Sequence, residues 1–157
     1  PEPLSELSLT SWEETLAVNL TAPLVLAQGI GRSMARNGGG RIVNVSSLSG
    51  LRVSPGMVAY SVSKAGLQML TAGLAAELGP LGVRCNAVCP TIFLSDLGRE
   101  MWGDPQVLAS KTAQIPAGRL GSLAEIADLI VYLFTPGADF INGASIPIDG
   151  GLLAGRR

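Results

Sequence analysis

The sequence predicts an α/β fold in which helices pack against a parallel β-sheet. Short apolar runs of strand length, rich in β-branched residues, alternate along the chain with longer segments of helical periodicity. That alternation is typical of a parallel sheet whose strands are joined by right-handed crossovers. Of the 157 residues, 47% are hydrophobic and 15% are charged, so the chain can bury a core as one domain or most of one.

A long helix and a strand occupy the first part of the chain. Ser11 and Glu14 have the spacing of a capping box, which predicts that a helix begins there and ends near Asn37. The apolar positions that give this segment its helical periodicity are Leu16, Leu20, Leu24 and Ile30. Three glycines at 38–40 then turn the chain into residues 41–46, a β-branched run suited to a buried strand.

A second helix and a second strand follow. The helix is expected over residues 57–78, because Gly79 and Pro80 are stop signals. Residues 83–88 alternate in the way a strand does.

The last third of the chain is less regular. Residues 90–120 are expected to be irregular apart from a short helix over 94–102. Ser122 and Glu125 form a second capping box at the start of another helix, and residues 144–148 resemble a final strand.

Composition and charge exclude several classes of function. The net charge is −1 and the eleven Lys and Arg residues are scattered, so we expect no nucleic acid partner. No apolar run approaches the length of a membrane span, and we expect a cytoplasmic protein without membrane contact. A structural zinc site needs about four ligands and the sequence has no histidine, so we expect no metal, and we expect Cys85 and Cys89 to be buried, inert thiols.

The residues that indicate chemistry lie around the second helix. Tyr60 and Lys64 are four residues apart, a spacing that places both side chains on one helix face. An ammonium close to a phenol favours the phenolate, which makes the pair a suitable general acid and base for an alcohol or ketone. Ser47 stands at the end of an apolar strand, where parallel sheets receive ligands, and its hydroxyl can donate to a substrate oxygen. The neighbouring Ser46 is expected to be a solvated turn residue.

These segments resemble the active-site motifs of the classical short-chain dehydrogenases/reductases. The matching motifs are Val43-Asn44-Val45-Ser46-Ser47, Tyr60-Ser61-Val62-Ser63-Lys64, Val18-Asn19-Leu20, Asn86-Ala87-Val88-Cys89-Pro90, Ile115-Pro116-Ala117-Gly118-Arg119 and Gly143 with Asp149-Gly150-Gly151. The resemblance covers nearly the whole chain. It implies a Rossmann-like doubly wound parallel sheet with helices on both faces, and an oxidoreductase that transfers a hydride between NAD or NADP and a secondary alcohol or ketone.

The resemblance also implies the roles of the catalytic residues. Tyr60 is the proton donor and acceptor, Lys64 modifies its acidity and binds the cofactor ribose, Ser47 stabilises the substrate oxygen, and Asn19 organises a relay water. For Asn19 the sequence adds a physical reason, because Pro23 has no amide hydrogen to bond the Asn19 carbonyl. The freed carbonyl could hold the water, although a proline merely tolerated in a long helix is an alternative.

Cofactor contacts are expected after the second strand. The family normally has Pro-Gly there, whereas this sequence has Pro90-Thr91. By resemblance, Pro90, Thr91, the Ile92 backbone and the Ser95 hydroxyl contact the cofactor together with Tyr60 and Lys64. NAD and NADP are not distinguished.

Substrate contacts are expected from Ser47 and from residues 93–114, which resemble a substrate lid. The apolar candidates in that region are Leu94, Leu97, Met101 and Trp102. Leu and Met at helical spacing also have a simple packing interpretation.

The glycine-rich fingerprint of the family's cofactor half does not occur in this sequence. We therefore expect residues 1–157 to be the C-terminal catalytic portion of a single Rossmann-fold domain. The resemblance implies a homodimer or homotetramer formed through the first two helices. Two alternatives stay open, a non-catalytic structural or oligomerisation fragment and a nucleotide-binding module without turnover.

Overall fold

The computed structural model describes residues 2–93 and 104–155, in which three parallel strands form one sheet. Strand β1 spans Gly40–Val45, β2 spans Val83–Pro90 and β3 spans Ser145–Ile148, in the order β1-β2-β3. Gly40 pairs with Val83 at one end of the register, and Pro90 pairs with Ile148 at the other. The parallel α/β architecture expected from the sequence is confirmed.

The described helices connect these strands. Helix α1 (Leu9–Leu16), a π-helical turn (Ala17–Thr21) and α2 (Ala22–Arg36) precede β1. Helix α3 (Val58–Leu78) joins β1 to β2, and α4 (Pro105–Thr112) and α5 (Leu123–Leu133) lie between β2 and β3. Short 3₁₀ turns occur at Leu48–Gly50, Gly79–Leu81 and Pro136–Ala138. No helix within residues 2–93 and 104–155 is long and apolar enough to cross a membrane.

The start of the first helix was predicted three residues too late. Helix α1 begins at Leu9, and Ser8 is its N-cap, since the Ser8 hydroxyl accepts a hydrogen bond from the Ser11 amide at 3.0 Å. Ser8 has an extended backbone, as N-cap residues do, while Ser11 already lies in the first helical turn. Two serines three residues apart both fit the cap pattern, and only the backbone conformation distinguishes them.

Apolar side chains on the two faces of the sheet form two separate core clusters. Ala75, Val83 and Cys85 pack with side chains of α2 and α3 on one face. Val88 and Leu133 pack with Ala138 and with side chains of α5 on the other. Helices therefore cover both faces, as the doubly wound arrangement requires.

The segment from 104 to 133 contains one helix that the sequence analysis did not predict. Asp104 caps α4, accepting hydrogen bonds from the amides of Gln106 and Val107, and Pro105 occupies the first helical position. The predicted capping box of α5 is confirmed in both directions between Ser122 and Glu125. Helix α4 is short and has no buried residue, so apolar periodicity could not reveal it.

Asn86 anchors the loop that leads into β3. The side chain is 2% exposed. Its amide nitrogen donates to the Ile141 carbonyl at 2.8 Å, and its oxygen accepts from the Ala144 amide at 3.0 Å. These two bonds fix β3 beside β2, so the ends of the strands align at one edge of the sheet.

Candidate active site

The candidate site lies at the carboxyl edge of the sheet, where ligands of parallel α/β sheets bind. Ser47 follows β1, Thr91 follows β2, and Tyr60 lies in the first turn of α3. All three line one open cavity of about 840 Å³. The structure thus brings together Ser47, Tyr60 and the segment after β2, three of the predicted positions.

Tyr60 and Lys64 occupy neighbouring turns of one helix face, as their spacing predicts. The Lys64 Nζ lies 5.7 Å from the centroid of the Tyr60 ring. It also donates a hydrogen bond to the Val45 carbonyl at 3.0 Å, which ties α3 to the end of β1. Burial lowers the pKa of Lys64, while its electrostatic interaction with Cys89 opposes that shift.

The Ser47 side chain is held in a defined position above the end of β1. Its hydroxyl oxygen accepts a hydrogen bond from the Ser49 amide at 3.0 Å within the 3₁₀ turn. This bond uses a lone pair of the oxygen and not its hydrogen, so the O–H can donate to a ligand in the cavity.

Ser46 is not the solvated turn residue expected from the sequence. It is 4% exposed, and its hydroxyl donates to the Lys64 carbonyl at 3.0 Å. The same oxygen accepts from the Gln68 side chain at 3.1 Å. Sequence analysis did not identify Gln68, which lies two turns beyond Tyr60 on α3 and is 9% exposed.

Asn19 lies in the π-helical turn that immediately precedes α2. Its side-chain amide donates to the Ser63 hydroxyl at 3.1 Å, and Ser63 in turn donates to the Tyr60 carbonyl at 2.7 Å. Asn19 therefore contacts α3 through Ser63. The π turn, in which the Ala22 amide bonds the Ala17 carbonyl, coincides with the irregularity expected from Pro23.

The predicted cofactor and substrate residues fall into two groups. Pro90 ends β2, Thr91 and Ile92 line the cavity, and the Thr91 amide donates to the Ile148 carbonyl at 3.3 Å. The predicted cofactor contact Ser95 and the predicted substrate contacts Leu94, Leu97, Met101 and Trp102 lie outside the described residues.

Both cysteines are free and completely buried. Burial raises the pKa of Cys85 to about 11. Burial also raises the pKa of the Cys89 thiol, against the opposing effects of the Ser46 hydrogen bond and the Lys64 charge. Both thiols are therefore protonated at neutral pH, in agreement with their expected inertness.

Comparison with known proteins identifies the family. The family model described as Enoyl-(Acyl carrier protein) reductase matches residues 1–153. The chain belongs to the classical short-chain dehydrogenase/reductase family. Among curated members, it is 42% identical over 149 residues to a D-threitol dehydrogenase of Mycolicibacterium smegmatis, a match covering 95% of this chain and 57% of the relative. It is 34% identical to an L-xylulose reductase of Caenorhabditis elegans, and that match covers 94% of this chain and 59% of the relative.

A solved member of this short-chain dehydrogenase/reductase family has the same fold. The crystal structure of a gluconate 5-dehydrogenase from Burkholderia cenocepacia, in complex with NADP and tartrate, superposes with a TM-score of 0.92 at 30% identity. The match covers 97% of this chain and 60% of that structure. The chain thus spans about three fifths of the length of the relatives that it matches.

Proposed function

We propose that the protein containing this chain is a nicotinamide-dependent oxidoreductase that interconverts a secondary alcohol and a ketone, with Tyr60 as general acid and base. The single observation behind this proposal is that Tyr60 and Ser47 line the same cavity, with Lys64 one helical turn from Tyr60. A phenol and a hydroxyl facing one space can both hydrogen-bond one substrate oxygen.

Each of the three side chains has a distinct role in this proposal. In the direction that forms the alcohol, Tyr60 donates its phenolic proton to the substrate oxygen, and Ser47 donates a hydrogen bond to the same oxygen. In the opposite direction Tyr60 accepts the proton. Lys64, whose Nζ lies 5.7 Å from the centroid of the Tyr60 ring, is proposed to bind the cofactor ribose beside Tyr60. A bound nicotinamide cofactor supplies or accepts the hydride.

The residues around the cavity fit a nicotinamide cofactor. Lys64 lies one helical turn beyond Tyr60 and does not itself line the cavity, but its bond to Val45 uses only one of its three N–H donors, and we propose that the others bind ribose hydroxyls. Thr91 and Ile92 line the cavity directly after β2, and the Thr91 amide is already held by the Ile148 carbonyl. We propose NAD(H) or NADP(H) in contact with these residues and with Pro90. Contact with Ser95, and with the predicted lid residues, stays a prediction.

Asn19 is proposed to organise a water molecule that relays protons to Tyr60. The support is the hydrogen-bonded chain from Asn19 through Ser63 to the Tyr60 backbone, and the π turn before Pro23. A carbonyl that lacks a helical partner can accept a hydrogen bond from water.

We propose a small polyhydroxylated alcohol or ketose as the substrate class. The cavity combines hydroxyl groups and the cationic side chains of Arg52 and Lys111 with apolar residues such as Leu48, Met57 and Phe93. Its hydroxyl-bearing residues are Ser11, Thr15, Ser47, Ser49, Ser54, Tyr60 and Thr91. Such a lining can hydrogen-bond several substrate hydroxyls at once. The relatives named for D-threitol, L-xylulose and gluconate support the same class.

A turnover screen with the intact protein tests this proposal. The protein is incubated with NAD⁺ or NADP⁺ and a panel of sugar alcohols, sugar acids and a simple 3-hydroxyacyl thioester, while the absorbance of the reduced nicotinamide is followed. We expect turnover with at least one polyol. Absence of turnover with every alcohol, and with the matching ketones in the reverse direction, would contradict the proposal and favour a non-catalytic role.

We also propose that the protein is a homodimer or homotetramer that associates through its first two long helices. Several large apolar side chains on this surface are exposed, namely Val18, Val25, Leu26 and Met69. Of the small residues along α3, Gly66 and Ala75 are already packed within the chain, whereas a side chain at Gly73 would meet only open space. A neighbouring helix could therefore approach α3 near Gly73.

A further inference from the structure

The turn that holds Ser47 is attached to the helix that holds Tyr60 by a buried carboxamide. The Gln68 Nε2 donates one hydrogen bond to the Ser47 carbonyl at 3.0 Å and another to the Ser46 hydroxyl at 3.1 Å. The two bonds use both hydrogens of the amide nitrogen. Gln68 belongs to α3, whereas Ser46 and Ser47 follow β1, so this amide joins two separate elements.

The directions of the hydrogen bonds that join Gln68, Ser46, Ser47 and Lys64 are determined. A carbonyl can only accept, so the atom facing the Ser47 carbonyl must be the amide nitrogen of Gln68 and not its oxygen. The Ser46 hydroxyl gives its hydrogen to the Lys64 carbonyl at 3.0 Å, so its oxygen must accept from Gln68. Only a residue with two donors at position 68 completes the network.

The turn after β1 also approaches the backbone of α3 closely, which further restricts the position of Ser47. A Cβ atom added at Gly50, three residues after Ser47, would lie 2.7 Å from the Lys64 carbonyl carbon and 2.8 Å from the Ala65 nitrogen. The turn therefore contacts the backbone of α3 directly, beside Tyr60 and Lys64. This contact and the two Gln68 hydrogen bonds together restrict how far the Ser47 turn can move relative to α3.

We propose that Gln68 is a positioning residue for the reaction: its carboxamide sets the location of the Ser47 hydroxyl relative to Tyr60. This inference rests on the proposed function. Gln68 does not line the cavity, so it acts through Ser47 and not on the substrate. A displacement of about 1 Å at a catalytic group can lower a rate by about a hundredfold, so a loosened Ser47 turn should slow the chemical step.

The test is a double-mutant cycle in the intact protein. Gln68→Met has nearly the same length and cannot donate hydrogen bonds. We expect it to lower kcat by about tenfold or more while KM changes by less than about threefold. Ser47→Ala alone should lower kcat by about 10². If Gln68 acts through Ser47, adding Gln68→Met to Ser47→Ala should change kcat by less than about twofold.

Controls separate positioning from folding. Gln28→Met makes the same change at an exposed site on α2 and should leave kcat unchanged. Circular dichroism and thermal unfolding confirm that the compared proteins are folded. If Gln68→Met gives no folded protein, Gln68→Leu replaces it, since a leucine side chain is also apolar and cannot donate a hydrogen bond.

The outcomes distinguish this inference from the function on which it rests. Two results would overturn the positioning role and leave the proposed function intact. One is an active wild type whose kcat Gln68→Met does not lower. The other is a double variant whose loss of kcat equals the product of the two single losses. A wild type without turnover overturns the proposed function and this inference with it.

Discussion

Two adjacent serines at the end of β1 have different environments because of strand geometry. Successive side chains leave a strand on opposite sides, so Ser47 lines the cavity while Ser46 is buried against α3. The Ser46 hydroxyl bonds the Lys64 backbone, and the Ser47 hydroxyl stays available to a ligand. The pair therefore combines a structural hydroxyl on Ser46 with the Ser47 hydroxyl that is proposed to bind the substrate.

At the same scale, the environment of Glu125 predicts a pH-dependent stability. Arg119 hydrogen-bonds the Glu125 carboxylate at 2.7 and 3.0 Å, the Ser122 amide donates to it at 2.7 Å, and together they lower its pKa to about 2 from an ordinary 4.5. Because the folded pKa is the lower one, the ionised carboxylate stabilises the fold above pH 4.5, and this contribution is lost as the pH falls towards 2.

The variant Glu125→Gln keeps the shape of the side chain and removes its charge. We expect its unfolding temperature to be below that of the wild type at neutral pH, with the gap closing as the pH falls below 4.5. Thermal unfolding of the intact protein over a pH series measures this, and Asp128→Asn on the same helix controls for the loss of one charge. A gap that is constant with pH would show that the carboxylate charge is unimportant.

At the scale of elements, the π turn between α1 and α2 sets the position of Asn19. In a regular helix the Asn19 carbonyl would accept a hydrogen bond from the amide of residue 23, but Pro23 has no amide hydrogen. The chain forms a wider π turn at Ala17–Thr21 instead. The Asn19 side chain is thereby linked to α3 through Ser63. The break in the helix is thus part of the candidate site.

Restoring the amide hydrogen should close this turn. We expect Pro23→Ala to lower kcat by about tenfold and to shift the pH profile of kcat, because a regular helix would occupy the carbonyl proposed to hold the relay water. Steady-state kinetics across a pH series measures both effects. Pro136→Ala is the matched control, since Pro136 at the first position of the 3₁₀ turn Pro136–Ala138 replaces no helical hydrogen bond. Unchanged kcat and an unchanged pH profile in Pro23→Ala would refute the relay.

Local spacing predicted the part of the site that lies within single elements. Tyr60 and Lys64 share a face because helical residues four apart always do. Ser47 was placed at the carboxyl edge because apolar strand residues precede it. The bonds from Gln68 to Ser46 and Ser47 span more than twenty residues and form only when α3 packs on β1, so no local pattern encodes them.

The same distinction applies to the element boundaries. The strands and α3 were predicted within one or two residues, because glycines, prolines and β-branched runs mark their ends. The start of α1 and the existence of α4 were not predicted correctly. Neither helix buries a side chain, so neither has a strong helical repeat of apolar residues in the sequence.

For the whole molecule, the exposed apolar surface of α2 and α3 predicts an oligomer. Val25 is 60% exposed and Met69 is 74% exposed. We expect the wild type to be a dimer or tetramer in light scattering coupled to gel filtration, and Val25→Glu with Met69→Glu to shift it towards the monomer, because a buried carboxylate without a partner is costly. The control Leu81→Glu, at an exposed site beyond the end of α3, should leave the oligomeric state unchanged. A monomeric wild type, or an unchanged oligomer in the double variant, would exclude this surface.

The role of Tyr60 as acid and base is tested most directly by comparing the phenylalanine variants of the protein's two tyrosines. The second tyrosine, Tyr132, lies on α5 and donates to the Gly137 carbonyl at 3.0 Å, away from the cavity. With the best substrate and cofactor from the screen, kcat/KM is measured for the intact wild type, Tyr60→Phe and Tyr132→Phe. We predict a loss of about 10² to 10⁴ in Tyr60→Phe and near wild-type values in Tyr132→Phe. Full activity in a folded Tyr60→Phe would contradict the assignment of Tyr60 as the acid and base.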